Sequence, residues 1–388
     1  MKVLFDHQIF EAQTAGGISR YFSELITHFN RRGGITAIIP AMRSDNIYVQ
    51  SNPAFNLIGR TESKKTSLFS TIYNFTRTRK AKREIKQQAM RENLNASIEA
   101  LKKSDFDIFH PTYYSPYFLQ YLGNRPFVLT IYDMTYAKFA DSFPPDDKTL
   151  EQIKLLAGKA NMIIAISQST KNDIVQILKI PSDKIEVIYL GNSITPPEYP
   201  PEDRPGFPLN YLLFAGRRDL YKNFDFFISS VAPLLGGKDN LHLVCAGGGR
   251  FSGNEKKLLK KLEIKKNVLQ FFPENDDELS QYYAKAKALC FPSKYEGFGL
   301  PILEAFANGC PVVASNTSSL PEVAGSAALY FDPYKRESIL EAVNTILRDT
   351  FIRQNLIAAG KKRLKLFSWV NSADAIKNVY SAVLNQAL

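Results

Sequence analysis

The sequence predicts an α/β protein made of two doubly wound domains, each a parallel sheet covered by helices on both faces. Three observations carry this prediction. The chain has 388 residues, too many for one ordinary hydrophobic core. Short apolar runs alternate with longer helical patterns from one end to the other. Near mid-chain, "TPPEYPPEDRPGFP" (residues 195–208) packs six prolines into fourteen positions and divides the runs into two sets.

In chain order the first set reads "KVLF", "ITAIIP", "FDIFH", "FVLTIYD", "MIIAIS" and "IEVIYL". The second reads "YLLFAG", "LHLVCAG", "VLQFF", "ALCFP", "VVAS" and "LYF". Apolar runs without polar alternation mark strands buried on both faces of a parallel sheet. Ligands of such sheets bind at the carboxyl ends of the strands, so the loops after each run are where chemistry is expected. Proline fixes φ and removes an amide donor, so the Pro-rich stretch suits a semi-rigid linker. The tail "FSWVNSADAIKNVYSAVLNQAL" holds the single tryptophan, Trp369, followed by an amphipathic helical pattern.

Composition narrows the function classes. Hydrophobic residues make up 45% and charged residues 22%, as in a folded soluble protein. No eighteen-residue apolar run predicts a membrane span, and "MKVLFDHQIF" lacks the apolar core of a secretory leader. Cys245, Cys290 and Cys310 form no CxxC pair, so buried thiols in a reducing cytoplasm are expected. The net charge of +11 is uneven: residues 60–103 hold twelve Lys/Arg against four glutamates. That stretch is either a solvated surface or a patch attracting phosphate on nucleic acid, lipid headgroups or a diphosphate-linked substrate.

Three loops carry the chemistry. In "KYEGFGLPILEAFANGCPVVAS" (294–315), Glu296 precedes a Gly-Phe-Gly turn and Glu304 lies eight positions on. Gly297 and Gly299 allow close backbone approach. Pro301 suits a helix start, and Gly309 with Pro311 its end. That start offers unpaired amides to an anion, while the carboxylates accept hydrogen bonds from neutral hydroxyls. A ligand with phosphates and vicinal hydroxyls uses both, although a plain helix-initiating turn explains the same residues. In "FAGRRDLYKNF", Arg217 and Lys222 are placed to neutralise a diphosphate. In "AQTAGGISRYFSEL", Gly16 and Gly17 again sit before a helix. The pattern is not GxGxxG, and no acidic ribose ligand follows, which weighs against a dinucleotide.

Weaker candidates remain. Asp105 and Asp107 have the DxD spacing of some metal sites but open a strand, so a polar strand entrance is the favoured reading. The four histidines lack the spacing of a zinc site. His110 ends a strand facing the expected cleft, and substrate contact and a structural hydrogen-bonding role stand level there.

These residues resemble a known family. "PSKYEGFGLPILEAFANGCPVVASNTSSLPEVAG" is similar to the E-x7-E region of retaining family 4 glycosyltransferases, which have the GT-B fold. "GGISRYFSEL", "FAGRRDLYKN", "LVCAGGG" and "FSW" occur in matching order, closest in flavour to bacterial mannosyltransferases of surface polysaccharide assembly. The resemblance implies two Rossmann-like domains facing across a cleft. Residues 1–195 form an acceptor-side domain, 196–208 a linker, 209–366 the nucleotide-sugar domain, and 367–388 a helix crossing back.

By position, the resemblance gives Glu304 the donor ribose, and Glu296 the transferred sugar and its charge-developing ring. It gives Gly297, Phe298, Gly299 and Leu300 sugar and phosphate contacts. Arg217 and Lys222 take the diphosphate, and Gly16 and Gly17 a phosphate loop. "FFPENDDEL" falls where the family reads the base, with Pro273 where a glycine is common. Asp133 matches the aspartate of a His-Asp pair whose histidine is here Tyr132. No cofactor and no metal are implied, since the nucleotide sugar, with GDP-mannose preferred, is a substrate and cationic groups replace the ion.

The expected partners are that donor and a glycan or lipid-diphosphate-linked acceptor. "TSLFSTIYNFTRTRKAKREIKQ" within 60–103 is expected to rest on an anionic membrane, at the cytoplasmic face. A nucleotide-sugar epimerase on the same fold is the enzymatic alternative, and a nucleic-acid binder the other. No helix-turn-helix, RRM or KH pattern supports the latter.

Overall fold

All twelve apolar runs become strands in the computed structural model, which describes residues 1–55, 57–58, 79–197, 207–218, 220–237 and 240–386. The first lobe contains β1 (Lys2–Phe5), β2 (Thr36–Ile38), β3 (Ile108–His110), β4 (Val128–Ile131), β5 (Met162–Ala165) and β6 (Ile185–Val187). The second contains β7 (Tyr211–Ala215), β8 (His242–Ala246), β9 (Val268–Phe271), β10 (Ala288–Phe291), β11 (Val312–Ser315) and β12 (Ala328–Phe331). Each pairing between them is parallel.

In the second lobe the order is β12-β11-β10-β7-β8-β9, the doubly wound arrangement of a dinucleotide-type sheet. The first lobe has ladders β2-β1-β3 and β4-β5-β6. A bridge from Phe109 to Phe127, and the Phe109 N–H on Pro126 O at 3.0 Å, carry one ladder into the other. β3, β4, β7, β10 and β11 are buried along their whole length, which is why they read as unbroken apolar runs.

Helices cover the sheets through apolar stripes. The helix Gly17–Arg32 buries Tyr21, Phe22, Leu25, Ile26 and Phe29, a 3.6-residue pattern against β1 and β3. The last helix, Trp369–Gln386, returns to the first lobe and packs on Gly17–Arg32. Its Asp374 holds Arg32 at 2.6 Å, and its Trp369 Nε1 donates to Ser193 Oγ at 2.8 Å. Residues 198–206 of the expected linker and 60–78 of the basic stretch lie outside the described residues, so most of the expected interfacial helix does too.

From Arg79 a helix runs to Lys103 and docks through buried Asn93 and Ser97. Ser97 Oγ meets His7 Nδ1 at 2.7 Å. Among the described residues no helix is long and apolar enough to cross a membrane. Cys245, Cys290 and Cys310 are free and buried, and burial pushes the Cys245 and Cys310 thiols up to about 12.

Candidate active site

The loops after β1, β4, β7 and β10 meet where the carboxyl ends of the two sheets face each other. After β7 the chain turns at Gly216 (φ +102°) and makes one short turn, Leu220–Lys222. Asn223 follows in the left-handed region (φ +60°), held by its Nδ2 on Pro333 O at 2.9 Å. This turn delivers Lys222 onto the loop after β10, where its Nζ sits 2.6 Å from Glu296 Oε1.

Glu296 is fixed on several sides. Ser293 Oγ donates to the same carboxylate oxygen at 2.6 Å, and the Glu296 N–H donates to Ser318 Oγ at 2.9 Å. Ser319 Oγ spans the turn, donating to the carbonyls of Glu296 and Phe298 at 2.9 Å each. The carboxylate is therefore preorganised by charge-assisted bonds. Gly299 (φ +108°) then caps the helix Leu300–Ala307, with Pro301 in its first turn.

At Gly297 the backbones of the two lobes come into close contact. A Cβ there would lie 1.9 Å from Tyr132 O and 2.9 Å from Asp133 Cβ, so only glycine permits the approach. Asp133 Oδ1 accepts the Thr135 N–H at 2.7 Å. Burial pushes the Asp133 carboxyl up and Glu296 adds to that, while the Thr135 hydrogen bonds and Lys222 pull it down.

The Gly16–Gly17 loop faces the other end of the same turn, and a Cβ on Gly17 would come within 3.2 Å of Leu300 Cδ1. The Ser19 N–H donates to Gln13 Oε1 at 3.1 Å. One turn on, Arg20 crosses the gap: its Nη2 lies 2.6 Å from Asp276 Oδ1 and its Nη1 4.0 Å from Glu304 Oε1. Its Nε donates to Tyr48 OH at 3.0 Å. Burial works against the Arg20 charge, but Glu304, Tyr48 and Asp276 overcome it and raise its pKa. Glu304 accepts Tyr283 OH at 2.7 Å, and burial raises its carboxyl against the pull of Arg20 and Tyr283.

Further polar contacts staple the lobes. Tyr295 OH accepts the Met134 N–H at 3.0 Å and donates to Asp173 Oδ2 at 2.7 Å. Glu322 receives the Gln168 and Ser169 N–H groups at 2.6 and 3.0 Å, at the start of the helix Gln168–Asp173.

The structure thus brings Glu296, Lys222, Asp133 and Gly297 together, and Gly17, Leu300 and Glu304 along the same seam. Arg217, on the loop after β7, is exposed and lines a cavity of about 370 Å³ with Arg218, Arg250 and Gly248. Phe298 turns its ring into the core, between Tyr189 and Phe367.

One expectation is corrected. His110 does not face the gap: it is fully buried, with Nδ1 on Tyr380 OH at 2.6 Å and Nε2 on Thr130 Oγ1 at 2.9 Å. Burial depresses its pKa to about 3, so it is a neutral packing residue. Tyr132, at the position of the family histidine, points away too, donating to Thr112 O at 3.3 Å. Asp105 and Asp107 hold Lys2 at the edge of β1, at 2.5 and 2.7 Å. Among the described residues no group of three or more His, Cys, Asp or Glu is placed to hold a metal ion.

Sequence reasoning passed over Arg20, Tyr283 and the serines 293, 318 and 319. It also missed Arg218, which donates to Glu255 and to the carbonyls of Gly247 and Gly249 at 2.7–3.1 Å. Arg20 stood inside a quoted motif, yet its partners Asp276 and Glu304 lie in the other lobe, where no local spacing reveals them.

Comparison with known proteins agrees with this geometry. The profile described as "Glycosyl transferases group 1" matches residues 203–363, and "Glycosyltransferase Family 4" matches 15–194. O-antigen chain mannosyltransferase B of Escherichia coli is 30% identical over 293 residues, 70% of this chain and 74% of that protein. Among solved structures, sucrose-phosphate synthase from Thermosynechococcus elongatus superposes with a TM-score of 0.76 at 19% identity, covering 99% of both chains. Anabaena Alr3699/HepE in complex with UDP-glucose superposes with a TM-score of 0.68 at 16% identity, covering 98% of this chain and 100% of that one. Two doubly wound lobes, an E-x7-E turn on the seam between them and both profiles place the chain in one family: it belongs to the family 4 glycosyltransferases of the GT-B fold.

Proposed function

We propose that this glycosyltransferase transfers a hexose, mannose from GDP-mannose by preference, to a glycan or lipid-linked glycan with retention of anomeric configuration. The observation that carries the reading is the Lys222–Glu296 pair at 2.6 Å, set at the carboxyl ends of β7 and β10 with Asp133 facing it from the other lobe.

The bond from the anomeric carbon to the diphosphate oxygen breaks, and the diphosphate leaves with the electron pair. Lys222, Arg217 and the amides that open the helix Leu300–Ala307 stabilise the developing negative charge. The anomeric carbon becomes oxocarbenium-like, with the Glu296 carboxylate accepting from the sugar hydroxyls. The acceptor hydroxyl attacks on the same face and its proton passes to a leaving phosphate oxygen, giving the glycoside and a nucleoside diphosphate. This route needs no side-chain base, and the cationic groups do the work of a metal ion. Glu304 accepts from the ribose hydroxyls. Closure of the lobes excludes water and suppresses hydrolysis.

The basic stretch 60–103 suits an anionic membrane surface presenting a lipid-linked acceptor. Absence of binding to anionic vesicles removes that contact and leaves the transfer chemistry standing.

A panel of nucleotide sugars tests the main reading. GDP-mannose is expected to raise the melting temperature most, and the product anomer, read by NMR, to match the donor. A donor isomerised without any acceptor, or a product of inverted configuration, overturns it.

A further inference from the structure

The loops after β3 and β4 carry aromatic rings that the proposed transfer chemistry does not use, with Tyr113 and Tyr136 packed on the edge of the core. Within "YDMTYAKFADSF" (132–143), Tyr136 stacks on Phe143 with ring centroids 4.3 Å apart at 29°. Tyr136 OH meets Tyr113 OH, from the loop after β3, at 3.3 Å. Phe139 faces Tyr221, the neighbour of Lys222 in the other lobe, at 5.6 Å. Tyr113, Tyr136, Phe139 and Phe143 are all only partly buried, whereas Tyr114, the ring on which Tyr113 packs, is buried.

The rings begin three residues from Asp133, against which Gly297 of the catalytic turn packs. Phe139 meets Tyr221 and Tyr295 of the other lobe, while Tyr113, Tyr136 and Phe143 belong to the first lobe, which leaves the nucleotide-sugar lobe to the donor.

Partly exposed tyrosines and phenylalanines in a row offer flat apolar faces with polar tips. A pyranose presents the complementary surface, an apolar face of C–H groups ringed by hydroxyls. Each phenol keeps hydrogen-bonding capacity beyond the Tyr113–Tyr136 contact, since a phenolic oxygen both donates and accepts. A nucleotide base is a poorer match, because the groups that serve a nucleotide lie across the seam at Lys222 and Glu304, with Arg20 reaching over to Glu304.

We propose that Tyr113, Tyr136 and Phe143 form a saccharide-acceptor subsite, a shelf on which an acceptor pyranose lies with its reacting hydroxyl turned toward Asp133 and Glu296. The inference rests on the transferase reading above and adds the seat of the acceptor sugar and the side chains that hold it.

The test titrates the full chain with a panel of p-nitrophenyl α- and β-hexopyranosides, and separately with GDP-mannose. At least one glycoside is expected to bind. Tyr136→Ala and Phe143→Ala are each expected to weaken that binding about tenfold, the loss of one stacking contact. Tyr136→Phe keeps the ring and is expected to retain most of the affinity, while the GDP-mannose dissociation constant stays unchanged in all three. A circular dichroism melt checks that each variant folds, and Tyr136→Leu or Phe143→Leu, which keep apolar bulk without the flat face, replace an alanine variant that does not and are expected to weaken binding to the same degree. Glycoside binding unaffected by both alanine variants, or no glycoside bound by the native chain, overturns the shelf while leaving donor recognition intact. Loss of GDP-mannose binding by the native chain instead strikes the transferase reading.

Discussion

Arg20 and Asp276, 256 positions apart in sequence, hold each other at 2.6 Å across the seam between the lobes, and Glu304 lies 4.0 Å from the same guanidinium. One arginine of the first lobe thus supports the carboxylate assigned to the ribose in the second. Arg20→Ala is expected to push the Glu304 carboxyl further up and to weaken donor binding about tenfold, the scale of one lost charge-assisted contact. The loss is expected to deepen as pH falls from 8 to 5, since a protonated carboxyl no longer accepts two ribose hydroxyls. Donor titrations across that range check it, and a pH-independent loss contradicts the linkage.

Glu304 itself trades stability for binding. Its carboxyl is raised by burial, so as pH climbs past the ordinary carboxylate range the unfolded chain ionises first. The folded state then holds the charge at a cost, and that part of the stability is lost between the unfolded and folded pKa. Glu304→Gln is expected to raise the melting temperature at pH 7 and to weaken GDP-mannose binding roughly tenfold or more. A variant that melts lower than the native chain at pH 7 speaks against a net cost of the buried charge.

Lys222 acts on the leaving group. Lys222→Ala is expected to lower kcat by about 10²–10³-fold, the usual effect of removing one preorganised group from a developing oxyanion. Lys222→Arg is expected to recover part of it. Steady-state kinetics decide, and undiminished turnover in Lys222→Ala takes the residue out of the mechanism.

Gly297→Ala drives a methyl into the Tyr132 carbonyl. Forced overpacking at such a site costs about 1–3 kcal/mol. Here the strain falls on the seam, so both the melting temperature and the donor-induced thermal shift are expected to drop. An alanine variant with native melting and native donor response is incompatible with the close approach.

His110 gives a stability signature rather than a kinetic one. Its pKa is depressed to about 3 by burial, so below the ordinary histidine value the unfolded chain takes up a proton that the folded chain refuses. Stability is therefore complete above about pH 6.5 and falls by up to about 1.4 kcal/mol per pH unit below it. His110→Gln is expected to flatten that slope in denaturant titrations between pH 4 and 7, while leaving the pH profile of kcat unchanged. A shifted kinetic profile returns His110 to the active site.

The fold was legible because its strands are buried on both faces. "YLLFAG" and "ALCFP" have no polar alternation to confuse with a surface strand, and they became β7 and β10. The Lys222–Glu296 contact was foreshadowed only as convergence at strand ends, since both residues follow strands whose carboxyl ends are adjacent. His110 misled because the end of a strand does not say which way its side chain points. Its ring turns to Tyr380, a residue 270 positions later, and nothing near "FDIFH" encodes that partner. Arg20 escaped for the same reason, because its function depends on a lobe that local pattern cannot see.

The return of the last helix to the first lobe sets a timetable for synthesis. Tyr380 completes the hydrogen bonds of His110, and Trp369 packs against Gly191 and Ser193. The amino-terminal half therefore leaves the ribosome with an open flank, which stays uncovered until the helix Trp369–Gln386 emerges. During that interval the exposed flank is a natural client for a chaperone.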